Sequence, residues 1–366
     1  MASQRSRMEQ WLDNSGCDRN TSSAILDAPL HDVALKIATE NEAAGKPFSI
    51  VHPVSFPAAA GKLGEKFEAD LFANDSELAI DLLKKRGILS PSTQIKLGAR
   101  TDAGTSEEYL EESVKLLKKF ARADEFTGWL INGFRIPAEV LPPFSHFEID
   151  ALVVVPGESG THKLIVGEVK VYPNKAGRTP GQKIANTRAQ AGLYVYILSN
   201  WIQKLKDEIS DLEKLSVDTR GILFFADVSD NTPGIAEFNS LEQQWQRSEV
   251  AIENIGLLHK KLMDGGLVDS KNPLDKLNFI QNQPHKFVDG CWAGCAMAET
   301  CFKAELDKDS TIVLGDTAER QVSGIPLSRV LSLSQGDILP LGDAEEDLLQ
   351  RFLDGRFPEI GGLRWK

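Results

Sequence analysis

The stretch that decides the fold is FEIDALVVV-PGESGT-HKLIVGEVKVY, residues 147–172. Two β-rich runs flank a segment dense in Pro, Gly and Ser, which is the pattern of a hairpin. A turn centred on Ser159 places Asp150 directly opposite Glu168. Directly opposed residues of an antiparallel pair share a face, with Cβ atoms about 4.5–5.5 Å apart. Lys170 follows Glu168 by two positions and so joins the same face. A one-residue slip of the turn would send Asp150 to the other side.

The hairpin thus gathers two carboxylates and one ammonium among runs as apolar as LVVV and LIV. Carboxylates that close repel unless a cation lies between them, and hard oxygen ligands select Mg²⁺ or Mn²⁺. A divalent ion beside a lysine is the outline of a hydrolytic phosphodiesterase site, with the lysine positioning or deprotonating a water. The competing reading is a solvated salt-bridge cluster, the ordinary state of charged side chains.

Outward from the hairpin, helical periodicity marks residues 31–45, GKLGEKFEADLF (61–72) and SELAIDLLKKRG (76–87), the last closed by Gly87. SEEYLEESVKLLKKFARAD (106–124) is acidic at its start and basic at its end, which suits a helix dipole. VHPVSF (51–56) reads as loop or strand. Downstream, 179–209 reads as a long helix or two, GILFFADV (221–228) as a buried strand, 238–264 as helix, and 343–354 as an acidic helix. Helices, then a hairpin, then helix–strand–helix suit an α/β or α+β core with a mixed sheet. The expected division is an N-terminal segment (1–60), a core (61–235), a helical segment with a cysteine cluster (236–305) and a C-terminal extension (306–366) to which no role is assigned.

Charge adds a further signal. The 366-residue chain has a formal net charge of −12, which argues against non-specific coating of nucleic acid. Yet no Asp or Glu occurs from Val169 to Lys206, while Lys170, Lys175, Arg178, Lys183, Arg188, Lys204 and Lys206 all do. Such a basic island in an acidic chain is a candidate track for a phosphate backbone.

The four cysteines are Cys17, Cys291, Cys295 and Cys301. Three clustered thiols and a remote fourth can furnish one [4Fe–4S] or Zn²⁺ centre, with nearby His285 as an alternative zinc ligand. Joining Cys17 to Cys291 closes a loop of more than 270 residues. By analogy with disulfides such a closure contributes about 3–5 kcal/mol. No segment offers the about 20 apolar residues of a membrane span. The N-terminal MASQRSRMEQWLDNSG lacks the apolar core of a secretory signal, so a cytoplasmic protein is expected.

These motifs resemble the PD-(D/E)XK nuclease superfamily. Asp150, seventeen intervening residues and Glu168-Val169-Lys170 are similar to its D…ExK signature. Gln190-Ala-Gly-Leu-Tyr194 is similar to the Q-x-x-x-Y element of RecB-like members, and Gly64-Glu65-Lys66-Phe67-Glu68 to their G-x-x-F-E element. One cysteine before the core and three after it resemble the iron–sulfur subset, which includes CRISPR-associated exonucleases and the AddB nuclease domain. The spacing C-x3-C-x5-C departs by one residue from the usual C-x2-C-x5-C.

The resemblance implies a restriction-endonuclease-like core acting as a DNA nuclease, with an exonuclease working on ends in repair, recombination or defence as the leaning. It implies Asp150, Glu168 and the Val169 carbonyl as metal ligands and Lys170 as the catalytic lysine. Glu68, with Glu65 as competitor, would approach the metal. Gln190 and Tyr194 would bind the strand, and Lys175, Arg178, Lys183 and Arg188 are candidates to contact phosphates. A helicase or other complex component is a plausible partner, and a nuclease-like module that binds nucleic acid without cutting is the rival.

Overall fold

The computed structural model describes residues 11–12, 14–44, 58–98, 105–138, 146–171, 181–227, 232–288, 291, 295–314, 316–322 and 324–354. In chain order the helices are α1 (Asp18–Leu26), α2 (Leu30–Ala43), α3 (Ala58–Lys85), α4 (Ser106–Ala121), α5 (Gly181–Lys206), α6 (Glu242–Asp264), α7 (Pro273–Gln281), α8 (Ala298–Asp307), α9 (Asp316–Val322), α10 (Leu327–Gln335) and α11 (Asp343–Leu353). The strands are β1 (Gln94–Gly98), β2 (Thr127–Pro137), β3 (His146–Pro156), β4 (His162–Lys170), β5 (Leu215–Val217), β6 (Arg220–Asp227) and β7 (Thr232–Ser240). Two compact units result, one of residues 1–12 with 56–260 and one of residues 13–55 with 261–366.

The first unit is built on a seven-stranded mixed sheet ordered β1-β2-β3-β4-β6-β7, with β5 beside β4. β2, β3 and β4 form an antiparallel meander, and β4 then runs parallel to β6. Parallel neighbours need a crossover of a dozen or more residues, and α5 lies within it. The β3–β4 hairpin has the register expected from its sequence: the pairs from Ala151↔Gly167 to Val155↔Lys163 are symmetric about residue 159. Ser159 and Gly160 turn the chain in the left-handed region, at φ 57° and 71°.

Each face of the sheet is buried. Phe67, Leu71 and Leu83 of α3 pack in one apolar cluster with Leu130, Ala151, Val153, Ile165, Val169, Ile222 and Phe224. Alternate residues point the other way, and there Leu152, Val154, Leu164 and Val166 are equally buried. Phe120 of α4 meets Trp129 of β2 with ring centroids 5.4 Å apart.

The two helices expected over 61–87 are both present. The backbone leaves the helical region at Ala73, Asn74, Asp75 and Ser76, so α3 is two helical pieces across a break. α4 begins with a capping box: the Thr105 hydroxyl accepts from the Glu108 N–H, and the Glu108 carboxylate accepts from the Thr105 N–H. The expectation of helix from residue 238 is corrected, because residues 238–240 end strand β7 and α6 starts at Glu242. Strands β1 and β2 were not expected from sequence. VHPVSF (51–56) lies outside the described residues.

The second unit is helical where described. Val313, Leu314, Ala318, Val322, Leu327, Val330, Leu333 and Leu348 form a core of their own, so the C-terminal extension is a small packed helical body through α11. Asn272 caps α7 by accepting from the Leu274 N–H, with Pro273 at the first helical position. Among the described residues no helix is long and apolar enough to cross a membrane.

Candidate active site and four-cysteine group

The hairpin strands stay paired through Ala151↔Gly167 and then part. Beyond that point β3 continues along β2 to His146↔Pro137, while Glu168, Val169 and Lys170 pair with Leu223, Phe224 and Phe225 of β6. Asp150 and Glu168 stand where the two strands separate. The Asp150 carboxylate fills the opening: its Oδ2 accepts from the Val169 N–H at 2.9 Å, so a carboxylate oxygen satisfies a backbone donor facing the opening.

Gly167 lets β3 and β4 lie close at their last pair, Ala151↔Gly167. A Cβ there would lie 2.9 Å from the Ala151 Cβ and 3.1 Å from its carbonyl oxygen. Asp150 is 2% exposed and Glu168 0%. Lys170 Nζ lies 2.9 Å from Glu168 Oε1, with its side chain 15% exposed. The three expected residues are therefore brought together at one buried spot. Two carboxylates and one ammonium leave a formal excess of negative charge, and buried charge of that kind is retained when a cation or a hydrogen-bond network compensates it. Val169, whose carbonyl was expected to be a metal ligand, is in register with Phe224.

The supporting residues fall into distinct places. Glu68 is half-buried on α3, next to Phe67 in the apolar cluster; Glu65 lies one turn earlier. Gln190 and Tyr194 share a face of α5 as their spacing requires, and Gln190 Nε2 donates to the Tyr194 hydroxyl at 3.1 Å. Both are buried, and the Tyr194 ring centroid is 6.1 Å from that of Phe147 on β3. This pair is a buried hydrogen-bonded unit tied to the strand that carries Asp150. Arg188 is half-buried and donates through Nη2 to Asn239 Oδ1 on β7. Lys183 lies in the first turn of α5. Lys175 and Arg178 lie outside the described residues.

One polar group beside the site was missed from sequence. Glu148 precedes Asp150 by two positions, and its Oε2 accepts from Arg135 Nε of β2 at 3.1 Å. The Arg135 guanidinium stacks 3.5 Å from the Tyr109 ring centroid of α4, and His146 meets the same ring edge-on at 5.8 Å. Burial, followed by the nearby Arg135 charge, holds the His146 imidazole below its ordinary pKa. The period-two alternation His146, Glu148, Asp150 was the available signal.

In the second unit the four cysteines are free thiols, with Cys17, Cys291 and Cys301 buried and Cys295 half-buried. They lie close enough to act on one another electrostatically. Burial pushes the Cys295 thiol up to about 12, and the Cys291, Cys301 and Cys17 sulfurs add to that rise. Burial likewise pushes Cys301 up to about 11, opposed by the Arg19 charge.

Three of these sulfurs are targets of N–H donors. Cys291 Sγ accepts from Asn14 Nδ2 at 3.6 Å and from the Val288 N–H at 3.5 Å. Cys301 Sγ accepts from Arg19 Nη1 at 3.3 Å, and Cys295 from the Met297 N–H. Cys291 Sγ is also placed to donate to the Lys286 carbonyl at 4.0 Å; a neutral thiol is a weak acceptor, so the N–H donors would bond more strongly to thiolates. His285 is engaged elsewhere, with Nε2 3.1 Å from Glu305 Oε1. Among the described residues no group of three or more His, Cys, Asp or Glu side chains is arranged to hold a metal ion, either here or around Asp150.

Comparison with protein-family models, with curated proteins and with solved structures gave no match. The functional reading therefore rests on the residues themselves.

Proposed function

We propose that this chain is a metal-dependent deoxyribonuclease of the PD-(D/E)XK kind, with Asp150, Glu168 and Lys170 as its reactive group. The observation that carries the reading is the parting of β3 and β4 at Asp150 and Glu168. It places two buried carboxylates and a lysine where two central strands of the sheet separate. The order helix, antiparallel meander, crossover helix, parallel strand supports a restriction-endonuclease-like core.

The Asp150 and Glu168 carboxylates would be the ligands of a hard cation, with Glu68 as the further acid. Mg²⁺ or Mn²⁺ held there would supply Lewis acidity toward a phosphodiester and a more acidic water. Lys170 holds its ammonium against Glu168, where it would orient a water by donating to it and offset charge on the phosphate. The Gln190–Tyr194 pair braces α5 behind β3 and leaves the Gln190 carbonyl group for the bound strand. Action on DNA ends, and a helicase or other complex component as partner, accompany this reading. The four cysteines, their sulfurs supplied with N–H donors, are read as the ligands of a [4Fe–4S] or Zn²⁺ centre that would clasp the second unit.

The test is cleavage of end-labelled single- and double-stranded DNA in Mg²⁺, Mn²⁺ or EDTA, with wild type beside Glu168→Gln. Metal-dependent cutting that the variant loses is the expected result. Cutting that persists in EDTA or in the variant overturns the assignment, and binding without cutting by either protein would favour a silent nucleic-acid-binding module.

A further inference from the structure

Arg19 is placed in a way that the nuclease reading does not use. It sits at the start of α1, two residues after Cys17, and its backbone N–H donates to the Pro284 carbonyl at 3.3 Å. Its guanidinium is spread between two acceptors, with Nε donating to the Gln283 carbonyl at 3.0 Å and Nη1 to Cys301 Sγ at 3.3 Å. The first bond fixes the plane of the fork and the second aims a full positive charge at one sulfur. Guanidinium donors are strongest toward anions. Toward a neutral thiol the same bond is worth little, because the sulfur is a poor acceptor.

Charge counting gives this placement a purpose. Four thiolates around Zn²⁺ or a [4Fe–4S] core leave roughly two uncompensated negative charges in a desolvated site. Neutral donors reach Cys291 from Asn14 and Val288, and Cys295 from Met297. Arg19 adds the charged donor at Cys301. Hydrogen bonds to cluster sulfurs and nearby charge are recognised levers on reduction potential.

We propose that Arg19 is the outer positioning residue of the four-cysteine centre, anchored by the Gln283 carbonyl and stabilising the Cys301 sulfur as a metal-bound thiolate. This rests on the reading of the four cysteines as one centre. A positive donor at a ligand sulfur favours the more negative oxidation state, so it raises the reduction potential of an iron centre. It also lowers the energy of the sulfur lone pair, so it moves ligand-to-metal absorption to higher energy.

The experiment uses full-length protein purified without oxygen, as wild type, Arg19→Gln and Arg19→Lys, with iron, sulfide and zinc measured in each. If iron is bound, the midpoint potential is titrated. If zinc is bound, it is exchanged for Co²⁺ and the thiolate-to-cobalt band is recorded. Arg19→Gln is expected to lower the potential, or to shift the band to longer wavelength, with Arg19→Lys in between. Loss of metal from Arg19→Gln with retention in Arg19→Lys supports the same conclusion, because lysine restores only the charge. Wild-type protein without metal overturns the centre itself and Arg19's role with it. Bound metal with potential and band unchanged in Arg19→Gln leaves the centre standing and overturns the role of Arg19. Loss of metal from both variants assigns Arg19 to folding and likewise overturns it.

Discussion

Replacing Lys170 by Met keeps most of the aliphatic stem and removes an ammonium 2.9 Å from Glu168 Oε1. Glu168 is 0% exposed, so water does not take over the lost compensation. Removing one member of a buried ion pair costs about 3–5 kcal/mol, because the other charge stays desolvated. In EDTA, Lys170→Met is therefore expected to unfold at lower urea, with its m-value unchanged, by a free-energy difference in that range. A divalent cation at Asp150 and Glu168 supplies the missing charge. Saturation at 100 times its dissociation constant stabilises by about 2.7 kcal/mol. Mn²⁺ is thus expected to recover most of the loss in the variant, measured by urea denaturation followed by circular dichroism in EDTA and in Mn²⁺. A loss in EDTA below about 1 kcal/mol, the range of an exposed pair, would refute the role of the ammonium. Absence of Mn²⁺ stabilisation in both proteins would refute the carboxylates as a cation site.

Gly167→Ala would press a Cβ to 2.9 Å from the Ala151 Cβ and 3.2 Å from a Phe224 ring carbon, so overpacking is expected to cost about 1–3 kcal/mol in denaturant stability. A neutral result would show that β3 and β4 yield where they part. Tyr194→Phe deletes the hydroxyl that accepts from buried Gln190, with an expected cost of about 1–3 kcal/mol and a fall in strand affinity read by DNA titration. Unchanged affinity would leave the pair a packing device only. Cys291→Ser is expected to lose the bound metal and lower the thermal midpoint, by metal analysis and calorimetry; full metal content and an unshifted midpoint would remove the clasp.

How much of this was legible in the sequence differs by element. The hairpin register was readable because a period of two and a Pro/Gly/Ser turn act together: a turn at Ser159 leaves only one way to face Asp150 toward Glu168. The α3 break at residues 73–76 was readable, as the gap between the helices expected over 61–72 and 76–87, because it is set within a few residues. β2 was not, because TGWLINGFRIP is buried along almost its whole length and shows no alternation. β7, TPGIAEFNS, has Pro and Gly as its second and third residues and reads as a loop. Its place as a strand depends on pairing with β6.

By itself the sequence determined the local matters: which residues alternate along β3 and β4, where the turn falls, that Gln190 and Tyr194 share one side of a helix, and that the thiols are four. Those follow from the chain's short-range geometry. Tertiary structure alone decided where β3 leaves β4 for β2 and β4 continues against β6, that the Asp150 carboxylate takes the Val169 N–H in that opening, that Arg135 pairs with Glu148, and that Arg19 reaches Cys301. Each of these joins residues far apart in the chain. Such contacts form only when the burial of apolar surface in each unit has repaid the entropy of closing the loops between them.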